Sequence, residues 1–391
     1  MRVEKDIVIL GGGIAGLWLL SRLRSAGYAA VLLEKSALGD GQTIASQGMI
    51  HGGLKYALGG ALTGASEAIA DMPAHWMRCL RGEGDVDLRG DNLLLSDAYY
   101  LWPRNSVRSR MTAFLGSKLI SSKVAAVSDD EVPAFFQGHL TSPLYRLHDI
   151  VFDVPALLHT LGERQRNFIH RTDYRCEHDA AGNISSLHLP GDVQLSAKLF
   201  VCTAGEGNGD LLATLKPKGP AMQRRPLQMV FVKHHIAHPL YVHCVADQFS
   251  STPELTITTH RCQDGSYAWY LGGELAESGA QLDQATQIQR TREKLTSLFP
   301  WCDLSQARFH SFYINRAEAQ QGDGKRPDRD SVLYAGNVLY CWPTKLTLAP
   351  ALANSVISKV NALGVSPQQT EELPLNGFDY PGVALPAWDK A

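Results

Sequence analysis

The sequence predicts an α/β fold in two domains, an α+β plan in which a Rossmann-type nucleotide-binding unit carries an inserted antiparallel sheet. Three observations carry this. Residues 6–34 read strand, glycine turn, helix, strand and a closing acid. The central third changes texture, to short strand-like runs joined by turns. Near the end, a strand at 332–335 and a helix at 348–363 return to the pattern of the first domain. With 391 residues the chain is long enough for two or three domains of roughly 150 residues each and for a large buried core.

Taking the elements in order, Asp-Ile-Val-Ile-Leu at 6–10 is a continuous apolar run of the kind that forms a buried strand. The turn Gly11-Gly12-Gly13-Ile14-Ala15-Gly16 follows, then a helix over 15–26 with apolar residues at Leu17, Leu20 and Leu23. A second strand at 30–33 ends at Glu34. This is the dinucleotide-binding βαβ pattern. Gly11 permits the tight turn, Gly13 lets the backbone approach a pyrophosphate, and Gly16 lets helix and strand pack closely. The helix N-terminus offers amide donors to the anion, and Glu34 accepts from ribose hydroxyls.

Between 39 and 53 small polar residues replace the helix that a plain Rossmann domain would start, and such a loop is usually functional. Helical patterning covers 61–81, short strands fall at 93–101, and a helix falls at 108–121. A further helix over 154–166 has Asp153 as N-cap and Pro155 in its first turn. Strands at 168–174, 184–189 and 199–202 lead to Thr203-Ala204-Gly205-Glu206-Gly207. The inserted sheet takes strands at 227–233, 240–245, 255–259 and 267–271, closed by a helix over 283–299. Residues 336–344 read as a loop before the last helix, whose first turn holds Pro350. The nucleotide-binding domain is thereby placed at 1–90, 145–220 and 310–391, and the second domain at 91–144 and 221–309.

Composition excludes several classes. Lys+Arg 37 against Asp+Glu 39 leaves a net charge of −2 with no run of like charges, which argues against nucleic acid as a partner. Seven widely spaced cysteines without a CxxC pair point to reduced thiols, a cytoplasmic setting and no zinc site. His234 and His235 fall on opposite faces of a strand and do not chelate one ion, so no metal is expected. The apolar residues within 7–20 are broken by glycines and followed by Ser-Arg-Leu-Arg, so they belong to the fold and not to a signal peptide. No stretch reaches the ~20 apolar residues of a spanning helix. This argues against integral insertion and leaves peripheral membrane contact open.

Four segments resemble one known family: DIVILGGGIAGLWLLSRLRSAG with VLLEK, TIASQGMIHGGLKY, AKLFVCTAGEG, and SVLYAGNVLYCWPTKLTLAPALA. In this order and spacing they are similar to the FAD-dependent oxidoreductases grouped with D-amino-acid oxidase, glycine oxidase, sarcosine oxidase, L-2-hydroxyglutarate oxidase and flavin-linked glycerol-3-phosphate dehydrogenase. The resemblance implies a split, glutathione-reductase-like FAD-binding domain holding FAD noncovalently, and a substrate domain built on the inserted antiparallel sheet. It implies cofactor contacts from Gly11, Gly13, Ile14, Ala15 and Gly16, the adenine ribose at Glu34 and Lys35, and the adenine beside Tyr174. Ala204 and Gly205 would approach the pyrophosphate, and Thr43, Ser46, Gln47, Gly48 and Met49 the flavin. The backbone of Lys345, Leu346, Thr347 and Leu348 is expected at the isoalloxazine. With Thr347 as cap, the positive end of the last helix would face the flavin edge where negative charge collects on reduction.

In this family a hydride passes to the flavin from a carbon bearing an amine or a hydroxyl, and the protein positions the substrate. Arg316, in SFYINRAEA, stands where relatives carry an arginine that grips carboxylate or phosphate with its planar fork, so an acidic small-molecule substrate is expected. Its plain alternative is an ion pair with Glu318 or Asp323. His51 is the candidate base for a hydroxyl proton, and IHGGLKY with Lys345-Leu346-Thr347 resembles the glycerol phosphate enzymes. Pro343 departs from the glycine oxidase pattern and Lys55 from that of the glycerol phosphate enzymes. Tyr270, in the strand Tyr267-Ala268-Trp269-Tyr270, is a candidate aromatic wall. The catalytic candidates are therefore His51, Arg316, Lys345 and Tyr270. Chain size and domain plan favour oxidation of a small amine or amino acid. The alternatives are a 2-hydroxy acid or polyol phosphate with His51 as base, or a flavin-holding protein without turnover, and the electron acceptor is oxygen or a quinone.

Overall fold

The first apolar run becomes the strand Arg2–Leu10, fully buried from Lys5 onward, in a computed structural model that describes residues 1–53, 69–90, 92–104, 124–214, 221–246, 252–322, 324–367, 375 and 377–391. It pairs in parallel with Ala30–Glu34 on one side and Val193–Cys202 on the other. Ile169–Arg171 extends the sheet beyond Ala30–Glu34, and Val338–Trp342 extends it beyond the end of Val193–Cys202. Five parallel strands thus run side by side, with their C-terminal ends on one edge. Ser331–Ala335 and the pair Arg175–His178 and Ile184–Leu189 complete this eight-stranded sheet in antiparallel fashion.

Two expectations are corrected in this sheet. Residues 336–344 do not form one loop, because Val-Leu-Tyr-Cys-Trp at 338–342 is a fully buried strand entered through a tight turn at Gly336. A strand buried on both faces reads as an unbroken apolar run, as this one does. The strand expected at 168–174 shortens to Ile169–Arg171, since Arg166–Phe168 forms a 3-10 turn and Thr172 N turns to bond Glu34 O.

The helices Ile14–Ser25, Val154–Arg164 and Ala349–Ala362 pack together on one face of the sheet, burying Leu17, Leu20, Leu23, Leu157, Leu161 and Val356. Asp153 caps the second of these by accepting from Ala156 N at 2.9 Å. Asp283 caps the helix Gln284–Leu298 in the same way through Thr286 N.

The second sheet also has eight strands, in the order Arg308–Ala319, Met222–His234, Tyr267–Gly272, Leu255–Arg261, Val242–Val245, Tyr99–Pro103, Tyr145–Leu147 and Val124–Ala126. Every neighbouring pair is antiparallel except Val242–Val245 with Tyr99–Pro103. Of these strands, Arg308–Ala319 crosses the expected boundary at 309 and Tyr145–Leu147 lies just beyond the one at 144. Arg308–Ala319, in particular, pairs along its whole length with Met222–His234. A small third sheet of Met49–Ile50, Ile150–Phe152 and Leu94–Ser96 anchors the end of the 39–53 loop.

The helix Met72–Arg81 falls within the helical pattern expected at 61–81. The start of that pattern, the helix expected at 108–121, Lys55 and Asp323 lie outside the described residues. Among the described residues no helix is long and apolar enough to cross a membrane.

The C-terminal residues strap the two large sheets together. Leu38 N donates to Gly382 O and Leu38 O accepts from Ala384 N, while Trp388 is buried against the second sheet, stacked on His260 at 4.4 Å and beside Tyr270. Lys233 Nζ donates to Trp388 O at 3.0 Å. Truncating such a buried indole costs about 3–5 kcal/mol. Trp388→Ala is therefore expected to lower stability by that amount in denaturant unfolding of the FAD-saturated protein, and a change under about 1 kcal/mol would show that the strap does not hold the sheets.

Candidate active site

A cavity of about 1040 Å³ opens at the C-terminal ends of the parallel strands and runs to the near edge of the second sheet. It is bordered where Leu10 gives way to Gly11, Leu33 to Glu34, Cys202 to Thr203 and Trp342 to Pro343. Ligands of open parallel sheets bind at this edge, beyond the carboxyl ends of the strands.

The glycine turn forms one end. Gly11 has φ +111°, and a Cβ there would lie 2.6 Å from both N and Cα of Ala204. Gly13 starts the helix Ile14–Ser25 with no side-chain cap and no acid in the first turn, so the amide end at Ile14 and Ala15 faces the cavity. Thr43 Oγ1 accepts from Ile14 N at 3.2 Å and draws the 39–53 loop onto this turn. Gly16 does not line the cavity, and its role is packing: a Cβ there would run into Gly11 O and come within 2.8 Å of Thr203 Oγ1.

Glu34 lines the cavity with one carboxylate oxygen accepting from Gly12 N at 2.6 Å and the other from Ser36 N at 2.9 Å. Lys35 Nζ stands 4.7 Å from the centre of the Tyr174 ring, and both residues line the wall. Burial pushes the Tyr174 phenol well above its ordinary range. Across the cavity, Asn208 is fully buried, its Oδ1 accepting from Ala204 N and its Nδ2 donating to Cys202 O and Cys341 O. Trp342 Nε1 donates to Gly205 O at 3.3 Å. The turn at Ala204 and Gly205 is thus held rigidly against Gly11.

Thr43 lines the cavity at the glycine turn, and Ser46 and Gln47 follow it toward the second sheet. Gln47 Oε1 accepts from Thr256 Oγ1 at 2.8 Å and its Nε2 donates to Tyr270 O at 2.8 Å, which pins the loop to the second sheet. Ser46 Oγ is buried with no hydrogen-bond partner among the described residues. Gly48 and Met49 lie behind the wall: Gly48, at φ +71°, has no room for a Cβ beneath Phe152 O, and Met49 is buried in the small sheet.

Lys345 and Leu346 line the cavity, whereas Thr347 and Leu348 are buried behind them. Thr347 is not the expected cap. The segment Leu346–Leu348 is a 3-10 turn, and the helix Ala349–Ala362 that follows has no side-chain cap. Thr347 Oγ1 instead accepts from His51 N at 3.2 Å and donates to Met49 O at 3.3 Å, joining the start of the last helix to the 39–53 loop.

Of the four catalytic candidates, Arg316 and Lys345 line the cavity, and His51 and Tyr270 do not. Arg316 lines the cavity from the second sheet. Of its two proposed ion-pair partners, Glu318 is taken by Arg225, at 2.8 and 2.9 Å. Arg316 Nη2 donates instead to Glu277 Oε1 at 3.1 Å, and its Nε is buried with no partner among the described residues. Burial, with Arg225 directly across the strand pair, weakens the Arg316 guanidinium's hold on its proton.

His51 stands behind the wall, with Nδ1 3.3 Å from Asp149 Oδ2 and its ring beside His243 at 6.2 Å. Asp149 Oδ1 accepts from Gly52 N at 2.8 Å, which orients that carboxylate. Tyr270 forms no wall. Its ring is fully buried among Phe312 and Trp388 and its hydroxyl donates to Ala45 O at 2.7 Å, while Trp269 lies in the core on the opposite face. Glu277, Asn315, Arg326 and Gln42 also line the cavity and were not singled out from the sequence. Gln42 Oε1 accepts from Ala317 N, a contact that depends on the unrecognised strand Arg308–Ala319.

A nucleotide cradle at four strand ends, opening directly onto the edge of a second sheet, defines a two-domain flavin oxidoreductase. Residues 6–340 match the FAD dependent oxidoreductase (DAO) family, and the chain belongs to it. It is 45% identical over 392 residues to the probable FAD-dependent oxidoreductase PA4991 of Pseudomonas aeruginosa, over 100% of this chain and 98% of the relative. Its fold matches the crystal structure of that protein with a TM-score of 0.85 at 40% identity, over 99% and 98% of the two chains. It also matches glycine oxidase from Geobacillus kaustophilus, with a TM-score of 0.63 at 16% identity over 96% and 98% of the chains. L-alpha-glycerophosphate oxidase from Mycoplasma pneumoniae with FAD bound gives 0.66 at 12% identity over 98% and 99%.

FAD is the cofactor, and the residues present suit it. The glycines leave a cradle that a Cβ at Gly11 would fill, the helix end, with its Ile14 amide on Thr43, turns the Ala15 amide end toward a pyrophosphate, and Glu34 stands at the end of the second strand. Ser46 is in the cavity wall, and its buried hydroxyl has no protein partner among the described residues. Bound FAD supplies the acceptor for a hydride.

Proposed function

We propose that this enzyme oxidises a small amine or amino acid at the carbon next to nitrogen, with an acidic group of the substrate held by Arg316. The observation that carries this reading is the Arg316 guanidinium in the cavity wall, its side chain 21% exposed and joined to Glu277 by one hydrogen bond. A planar fork with free donors binds a carboxylate bidentately. The carboxylate next to it makes this part of the wall a cation and an anion side by side, the complement of a zwitterion. Gln47, bonded to Thr256 and Tyr270, fixes the opposite side, so substrate would enter a preformed site. The reduced enzyme would pass its electrons to oxygen or a quinone.

One observation favours a second reading, oxidation of a hydroxyl-bearing carbon. His51 places Nδ1 3.3 Å from Asp149 Oδ2, a contact of the kind that orients an imidazole for proton transfer.

Anaerobic mixing of the yellow protein with amines, amino acids, 2-hydroxy acids and polyol phosphates separates the two readings. Loss of the oxidised flavin spectrum is expected with amines or amino acids. Bleaching by hydroxyl substrates and by no amine would overturn the leading reading. In His51→Asn, flavin reduction by a hydroxyl substrate is expected to slow by about 10²-fold or more, the scale of general-base catalysis. An amine substrate should be little affected, because it has no hydroxyl proton for His51 to take. Unchanged hydroxy-acid reduction in that variant removes His51 as a base.

A further inference from the structure

Two arginine–glutamate pairs stand side by side where Arg308–Ala319 runs against Met222–His234, and they differ in one informative way. Arg225 and Arg316 are directly opposite each other in the register. Facing like charges destabilise a strand pair, so each guanidinium needs its own carboxylate. The Arg225 pair is closed: two bonds at 2.8 and 2.9 Å join it to Glu318, which is fully buried. The Arg316 pair is open. One bond at 3.1 Å joins it to Glu277, Arg316 Nε is buried and unpartnered, and the other Glu277 oxygen accepts no hydrogen bond among the described residues. Both members of the open pair line the cavity, and the Glu277 side chain is 41% exposed.

A pair kept only for stability would be expected to close as its neighbour does, because a buried donor without a partner costs free energy. We propose that Glu277 is a specificity-determining residue that receives the protonated amine of the substrate, and takes up its proton before the hydride leaves, while Arg316 receives its acid group. This rests on the amine reading above and goes further, since it names a zwitterionic or aminocarboxylate substrate and the residue that distinguishes it from a plain acid. The geometry suits such a molecule, whose charged ends are a few bonds apart and meet an anion and a cation joined by one hydrogen bond. A hydroxy acid or a polyol phosphate brings only an anion, and Glu277 would repel it.

The test compares binding of matched acids with and without nitrogen to the FAD-loaded enzyme: alanine with propionate, proline with cyclopentanecarboxylate, phenylalanine with 3-phenylpropionate. Affinity is read from the anaerobic flavin difference spectrum and, where the flavin bleaches, from saturation of the reduction rate. The unaltered enzyme should bind at least one amino acid more tightly than its nitrogen-free partner. In Glu277→Gln that preference should fall about 10-fold or more, the scale of one hydrogen bond to a charged group. Propionate-type acids should bind as well as before or better, because Arg316 is released from Glu277. Glu277→Asp, which keeps the charge, should restore part of the preference.

Equal weakening of both members of every pair in Glu277→Gln would make Glu277 a positioning residue for Arg316 and overturn the proposal. So would an unaltered enzyme that binds no amino acid more tightly than its nitrogen-free partner. The broader amine reading fails on a separate observation, bleaching by hydroxyl substrates alone.

Discussion

Gly11→Ala is expected to yield a protein that folds its second sheet but no longer retains FAD, with affinity for the cofactor down by about 10²-fold or more. Two costs combine at this position. An L side chain at φ +111° is strained, at roughly 1–2 kcal/mol. The new Cβ would also lie 2.6 Å from N and Cα of Ala204, which are backbone atoms with no rotamer to escape into. Relief would require the turn at 203–205 to move, and that turn is tied down by Asn208 and Trp342. Overpacking of this sort costs about 1–3 kcal/mol. The sum is about 2–5 kcal/mol, with a midpoint of about 3.5, and each 1.4 kcal/mol is tenfold in affinity. Gly138→Ala is the matched control, since Gly138 has φ +74° but nothing within 4 Å of an added Cβ. It carries the strain without the clash, far from the cavity, and should keep its FAD. Flavin-to-protein absorbance and an FAD titration measure both. Equal FAD affinity in the two variants would show that close approach of Gly11 to Ala204 does not build the cradle.

Gly11 was legible because its signal is local: an apolar run, a glycine turn and a helix whose period begins at once. The same holds for Asp153, which caps the helix that its side chain begins. What the sequence hid depends on partners far along the chain. Arg308–Ala319 alternates in a way that charges at Arg316 and Glu318 obscure, and those charges are tolerated because Arg225 and Glu277 come from other elements. The strand Val338–Trp342 carried the right composition but sat between Gly336 and Pro343, two residues that normally mark loops.

Alternation placed Tyr270 and Trp269 on opposite faces correctly. It did not show that Trp388 covers the Tyr270 face, so the aromatic wall became core. Thr347 has the chemistry of a cap, yet His51 N competes for its oxygen. Asp149 meets His51 across 98 positions, with no local mark in either segment. The strand-end glycine turn and Glu34 were thus marked locally, while Gly16, Gly48, Met49, Thr347 and Leu348 lie behind the cavity wall, and the substrate end is assembled by packing between strands that the sequence presents separately.

Replacing that packed guanidinium should separate substrate binding from cofactor binding. Arg316→Met is expected to lower kcat/KM for the true substrate by about 10²–10³-fold while FAD content stays unchanged. Truncating one partner of a desolvated, hydrogen-bonded charge pair costs about 2–5 kcal/mol, and the substrate's acid group would lose that partner. Stability should move little. The half-exposed Glu277 carboxylate can be solvated once released, a pair of this exposure is worth about 0–1 kcal/mol, and removing one of two facing guanidiniums relieves repulsion with Arg225. Arg316→Lys keeps the charge but not the fork, so it should recover only part of the loss, mainly in KM. An amine without any acidic group gives the internal control, because its rate should be the same in Arg316→Met as in the unaltered enzyme. If acidic and neutral amines lose rate equally, Arg316 shapes the sheet edge and does not hold the substrate's anion.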